Sequence, residues 1–192
     1  EAINAEQVRA LEEKDFRDRL VPYLADAYPD PTDEVTQVPL VSAASFDELS
    51  AREQEILSAA APLIQTRIQL LRECRDMLGF LFVADDDLTI DDRARTKLKD
   101  SASDVLDAGI RALEGLGVEQ WDRDHVEEAL RAAIVEGRGM PDGEGIKPRL
   151  AYGPLRVAVT GRQVSPPLFE SMEIMGADST LTRLRALRAR LE

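Results

Sequence analysis

The sequence predicts an all-α protein, a helical bundle of two small helical subdomains. Apolar residues recur at three- and four-residue spacing through most of the 192 residues. Prolines, glycines and acidic clusters interrupt that pattern where turns between helices would fall. The apolar run Gly79-Phe80-Leu81-Phe82-Val83, the best candidate for a strand, leads into an acidic loop and reads better as a buried helix end.

Taken in order, Ile3 to Leu11 and Phe16 to Ala25 read as short amphipathic helices, the second stopping near the loop Pro29-Asp30-Pro31. Ser45 to Glu48 has capping-box spacing ahead of a charged helix, and Pro62 stands where a new helix could begin. From Leu63, the positions Ile64, Ile68, Leu71, Met77 and Leu78 mark one long helix whose other face carries Arg67, Arg72 and Arg75. Ala102, Val105, Leu106, Ile110 and Leu113 mark another, ended by Gly115 and Gly117. Asp124 to Glu127 repeats the cap spacing and puts His125 in the first turn of the next helix. The four-glycine segment 137–145 then reads as a flexible loop between the subdomains, 1–140 and 141–192.

Composition removes most chemistry. A hydrophobic fraction of 44% with 32% charged residues is globular rather than disordered. The lone Cys74 closes no internal disulfide, so a reducing compartment, the cytoplasm, is expected. The lone His125 cannot build a multi-histidine metal site, and no nucleophile stands beside it in sequence to make it a catalytic base. Asp85-Asp86-Asp87 followed by Asp91-Asp92 suggests a calcium loop, but Ile90 and Thr96 fall where an EF-hand needs Gly and Glu, so a solvated loop and helix start is expected. The glycine loop lacks the ending of a P-loop and the spacing of a dinucleotide turn. No membrane span or signal peptide is visible. The first residues, without a starting Met and already helical in pattern, read as a segment of a longer protein, a processed mature chain being the alternative.

Charge is distributed unevenly. With 24 Lys and Arg against 37 Asp and Glu the formal net charge is −13, which opposes general DNA or RNA binding and favours a soluble monomer. From Lys147 onward, however, eight cations face four anions, a balance of +4 that leaves −17 for residues 1–146. Such asymmetry fits either a local anionic partner or a solvated arginine-rich face.

Within that basic segment, Pro154-Leu155-Arg156-Val157-Ala158-Val159-Thr160-Gly161, then Ser165-Pro166-Pro167-Leu168-Phe169-Glu170, then a Met-Gly helix end and a last Leu/Arg helix resemble the C-terminal anticodon-binding region of bacterial glutamyl-tRNA synthetases. Ile3-Asn4-Ala5 to Val8-Arg9 looks like that family's junction with the catalytic body, assigned to residues 1–12, and Ile64-Gln65-Thr66-Arg67-Ile68 looks like its long helix. The resemblance is weak over residues 26–60 and 85–120, and no RNA contact is assigned to the acidic stretch Asp85 to Asp100.

The resemblance implies an α-helix cage type of bundle and tRNA, through its anticodon loop, as partner. The family's ATP motifs, of HIGH and KMSKS type, do not occur here, so ATP and Mg²⁺ are expected only in a catalytic body, and this chain alone should be inert. By resemblance Arg156, Ser165, Pro166 and Leu168 line the anticodon pocket, Leu168 as an apolar platform for a base, and Arg67 corresponds to an arginine that reads the third anticodon base. Arg162 and Lys147 join them as cations of the same segment.

The residue chemistry is compatible with that task. Single-stranded RNA is read by stacking splayed bases and satisfying their edges, and the planar fork of arginine does both. Ser165 as N-cap with Pro166 in the first turn would aim free N–H groups at a base or phosphate. Each residue also has a plainer role open to it: Arg156 in a surface ion pair, Ser165 as a simple cap, Leu168 or Phe169 turned to the core. A helical protein-interaction module without RNA is the rival function.

Overall fold

Residues 5–25 and 38–191 are described by the computed structural model, and among them every regular element is helical. The expected loop at Pro29 to Pro31 and the first residues of the expected junction lie outside the described residues. Two compact units divide between Val83 and Ala84. The expected boundary near residue 140 falls inside the second unit instead, because helices on either side of it bury their apolar faces on one another.

In the first unit, α1 (Ala5–Ala10) and α2 (Glu13–Leu24) precede a 3-10 turn at Phe46–Glu48 and then α3 (Ala51–Ile64). The capping box is at Ser50 rather than Ser45: Ser50 Oγ accepts from the Glu53 N–H at 3.3 Å, and the Glu53 carboxylate accepts from the Ser50 N–H at 2.8 Å. Pro62 therefore lies inside a helix, two residues before its end, instead of starting one.

The long helix expected from Leu63 to Leu78 is broken. The chain turns after Ile64, resumes as a 3-10 turn at Leu71–Glu73 and continues as α4 (Cys74–Leu78), followed by a 3-10 turn at Gly79–Leu81. Ile64, Ile68, Leu71 and Leu78 are buried all the same. Periodic burial can thus be satisfied without a continuous hydrogen-bond ladder, and the Glu73 carboxylate, accepting from the Gln69 N–H at 3.1 Å, takes up a donor that the break exposes.

Arg75, expected on a solvent face, instead donates to the carbonyls of Tyr23, Leu24 and Val38, closing the C-terminal end of α2. Gln65 closes α1 the same way, donating to Val8 O at 3.1 Å and Leu11 O at 2.8 Å. Burial pushes the Cys74 thiol up to about 12, which makes it an inert core residue.

The second unit holds α5 (Asp92–Thr96), α6 (Ala102–Glu114), α7 (Arg123–Leu130) continued by a π turn at Arg131–Val135, α8 (Pro148–Thr160), α9 (Leu168–Met175) and α10 (Ala177–Ala189). α6 packs against α7, α8 and α10, and α7 packs against α9. Gly109 permits the approach of α6 to α8 to be close, since a Cβ there would sit 3.0 Å from Leu155 Cδ2 of α8. Asp122, not Asp124, caps α7 by accepting from the N–H groups of Asp124 and His125. His125 lies in the first turn as expected, exposed, with Nδ1 2.7 Å from the Asp122 carboxylate; hydrogen bonds from His125 hold that carboxyl below its usual range.

The glycine segment is a closed turn rather than a loose linker. Gly137 takes the left-handed conformation (φ 79°), and the N–H groups of Gly139 and Ile146 return to the carbonyls of Ala133 and Ile134. α8 ends on Gly161 at φ 73°, whose carbonyl accepts from the Asp91 N–H at 2.8 Å. Any Cβ at Gly161 would run into the Thr89 carbonyl, so only glycine lets α8 end against the start of α5.

Candidate nucleic-acid interface

α8 and the loop that follows it bring three of the expected site residues together. Arg156 Nη1 donates to Ser165 Oγ at 2.5 Å and to the Pro166 carbonyl at 3.0 Å, while the Ser165 hydroxyl donates to that same carbonyl at 2.9 Å. The loop can fold over Arg156 because Gly161 reverses the chain one turn beyond it. The two adjacent prolines then carry the backbone to α9 without N–H groups that would need partners.

The local roles differ from those expected. α9 begins at Leu168 with Pro167 at the capping position and no side-chain cap, so Ser165 is not an N-cap and Pro166 is not in a first turn. Ser165 is only 6% exposed and Pro166 is buried. Both brace the Arg156 guanidinium rather than offering their own groups to solvent. Leu168 is 3% exposed and belongs to the core, so it has no open face on which a base could stack. Its neighbour Phe169 is half-buried and meets Tyr152 edge to face, with ring centroids 5.2 Å apart.

Arg156 lies in the wall of a groove of about 690 Å³, lined by Ala94, the run Thr96 to Lys99 and Ser101, by the first part of α8 and by Gln163. Its cations are Lys97, Lys99, Arg149 and Arg156, and none of the described residues lining it is acidic. Tyr152 supplies an aromatic surface there; burial, with the Glu127 carboxylate nearby, raises its phenol above the usual range and keeps it a neutral donor. In a chain of net charge −13, a groove lined by one sign of charge concentrates positive potential where an anion can enter.

The other expected residues stand outside this lining. Lys147 is exposed immediately before α8, and Arg162 is exposed in the turn after it. Arg67 belongs to the first unit, exposed in the turn that follows α3, and takes no part in the groove.

The +4 balance of the last segment is largely spent inside the protein. Arg183 of α10 is 4% exposed and donates to Asp85 at 2.6 Å and to the Val159 carbonyl at 2.9 Å. Arg185 and Arg188 pair with Glu114 and Asp107 of α6. What charges the groove is instead the start of α8 together with Lys97 and Lys99, which sequence reasoning missed. A faint signal was present: the two lysines are the only ones between Asp85 and Asp100, placed at the end of the acidic run.

Comparison with known proteins agrees with this architecture. A family model described as "anticodon binding domain" matches residues 15–188. A glutamate–tRNA ligase of Kocuria rhizophila is 50% identical over 190 residues, which is 99% of this chain and 33% of the relative. One of Kineococcus radiotolerans is 50% identical over 191 residues, covering 100% of this chain and 34% of the relative. The chain therefore spans about a third of the length of these relatives. A crystal structure of a glutamate–tRNA ligase from Elizabethkingia meningosepticum shares the fold, with a TM-score of 0.63 at 16% identity over 98% of this chain and 31% of that one.

Proposed function

Since the chain belongs to the anticodon-binding domain family, we propose that its second unit binds the anticodon loop of a tRNA as the C-terminal part of a glutamate–tRNA ligase. The observation that carries this reading is the groove itself: four cations, an aromatic ring, no acidic residue among the described residues that line it, and an arginine whose orientation is fixed by Ser165 and Pro166. A guanidinium held by its neighbours keeps its plane and fork fixed, which suits it to stack on a base or bind a base edge bidentately with little further loss of entropy. Lys147 and Arg162 lie beside α8 as exposed cations suited to backbone phosphates. Arg67, on the first unit, is the residue proposed to read the third base.

Glutamate activation with ATP and magnesium would belong to the catalytic part of such a ligase. Among the described residues no group of three or more His, Cys, Asp or Glu could hold a metal ion, and no helix is long and apolar enough to cross a membrane.

Arg156→Ala in the full-length ligase tests the reading through the charging efficiency, kcat/KM, of cognate tRNA against an anticodon-substituted tRNA. The ratio is expected to fall about 5- to 150-fold, equivalent to about 1–3 kcal/mol for one bidentate base contact. An unchanged ratio in a folded variant contradicts it.

A further inference from the structure

The stretch from Asp85 to Asp100 reads as acidic, and Asp86, Asp87 and Asp100 are exposed, but others of its carboxylates are engaged within the protein. Asp85 receives the Arg183 guanidinium, Asp91 caps α5 by accepting from the Arg93 and Ala94 N–H groups, and Asp92 pairs with Arg95 at 3.3 Å. The Asp91 N–H meanwhile ties the stretch to Gly161 at the end of α8. Fastened at these points, the segment delivers its last two lysines to the groove. Lys97 Nζ meets only a neutral partner, donating to Gln163 Oε1 at 2.9 Å, and Lys99 makes no ion pair with a described residue.

We propose that Lys97 and Lys99 contact the backbone phosphates of the RNA in this groove, sharing with Arg149 of α8 the task of holding the strand while Arg156 reads it. This rests on the anticodon-binding reading. Lysine on a flexible four-carbon stem is a point charge, without the fixed fork that base reading requires. Both residues are exposed, so they add affinity and salt dependence but carry no sequence information. The end of this stretch is thereby an RNA-facing element: Asp85 and Asp91 position it and its lysines touch the ligand.

The test measures binding of this chain to a labelled RNA stem-loop with a glutamate anticodon, and to one with a substituted anticodon, across a range of salt concentrations. The Lys97→Ala/Lys99→Ala variant is expected to weaken both complexes by the same factor. The slope of log affinity against log salt should become shallower by about 1.4, at about 0.7 per single-strand phosphate contact. Arg156→Ala should instead lower the ratio between the two RNAs. If the double variant keeps the wild-type affinity and slope while Arg156→Ala loses discrimination, the lysine assignment is overturned and the anticodon reading stands. If the double variant weakens only the cognate complex, the lysines read bases and the phosphate assignment is overturned. If the wild-type chain binds neither RNA, both fall together.

Discussion

Replacing Arg183 with methionine is expected to lower the unfolding free energy of the second unit by about 3–5 kcal/mol. The guanidinium is 4% exposed and joins three elements, since it sits on α10, donates to Asp85 ahead of α5 and donates to the Val159 carbonyl of α8. Methionine fills much of the same volume but leaves the Asp85 carboxylate, whose side chain is 25% exposed, and the Val159 carbonyl without that partner. Changing Asp85→Leu in the same chain should restore part of the loss, because an apolar pair removes the orphaned charge along with the bridge. Urea unfolding followed by the fluorescence of Trp121 reports on this unit, the indole N–H being bonded to the Met172 carbonyl at 3.0 Å. A loss below about 1 kcal/mol, the level of an exposed ion pair, would show that the bridge does not hold these elements together.

Leu168→Ala is expected to cost about 2–5 kcal/mol of stability, the range for truncating a buried leucine. The side chain is 3% exposed in the first turn of α9, and the variant leaves a cavity there. Anticodon discrimination by the folded protein should be unchanged, because no RNA-facing surface is lost. Thermal unfolding combined with charging of cognate and anticodon-substituted tRNAs separates the two effects. Preserved stability with lost discrimination would restore Leu168 to the role of a base platform.

Where hydrophobic pattern and local capping chemistry agreed, the fold was legible in the sequence. α6 and the position of His125 in the first turn of α7 follow from residues close together in the chain. The break between α3 and α4 was not legible, because Ile64 to Leu78 keep helical spacing while the backbone between them turns. The boundary near residue 140 was misread for a similar reason: glycines marked a turn, but whether a turn separates two cores depends on what its flanking helices pack against.

The site shows the same division. Arg156, Ser165 and Pro166 were recognisable as a motif, and the chain does bring them together. Their burial was not recognisable, since it depends on how the loop closes over α8. The basic character of the last segment was also only partly informative. Arg183, Arg185 and Arg188 find carboxylates 71 to 98 residues away in sequence, whereas Lys97 and Lys99 are cations hidden in an acidic run.

The most direct test of anticodon recognition is equilibrium binding of the chain to two RNA stem-loops that differ only in the anticodon, at one fixed salt concentration. The glutamate anticodon is expected to bind tighter by about 5-fold or more, the worth of a single specific base contact. Equal affinity for the two would contradict the account, leaving the groove as a surface that holds RNA without reading it.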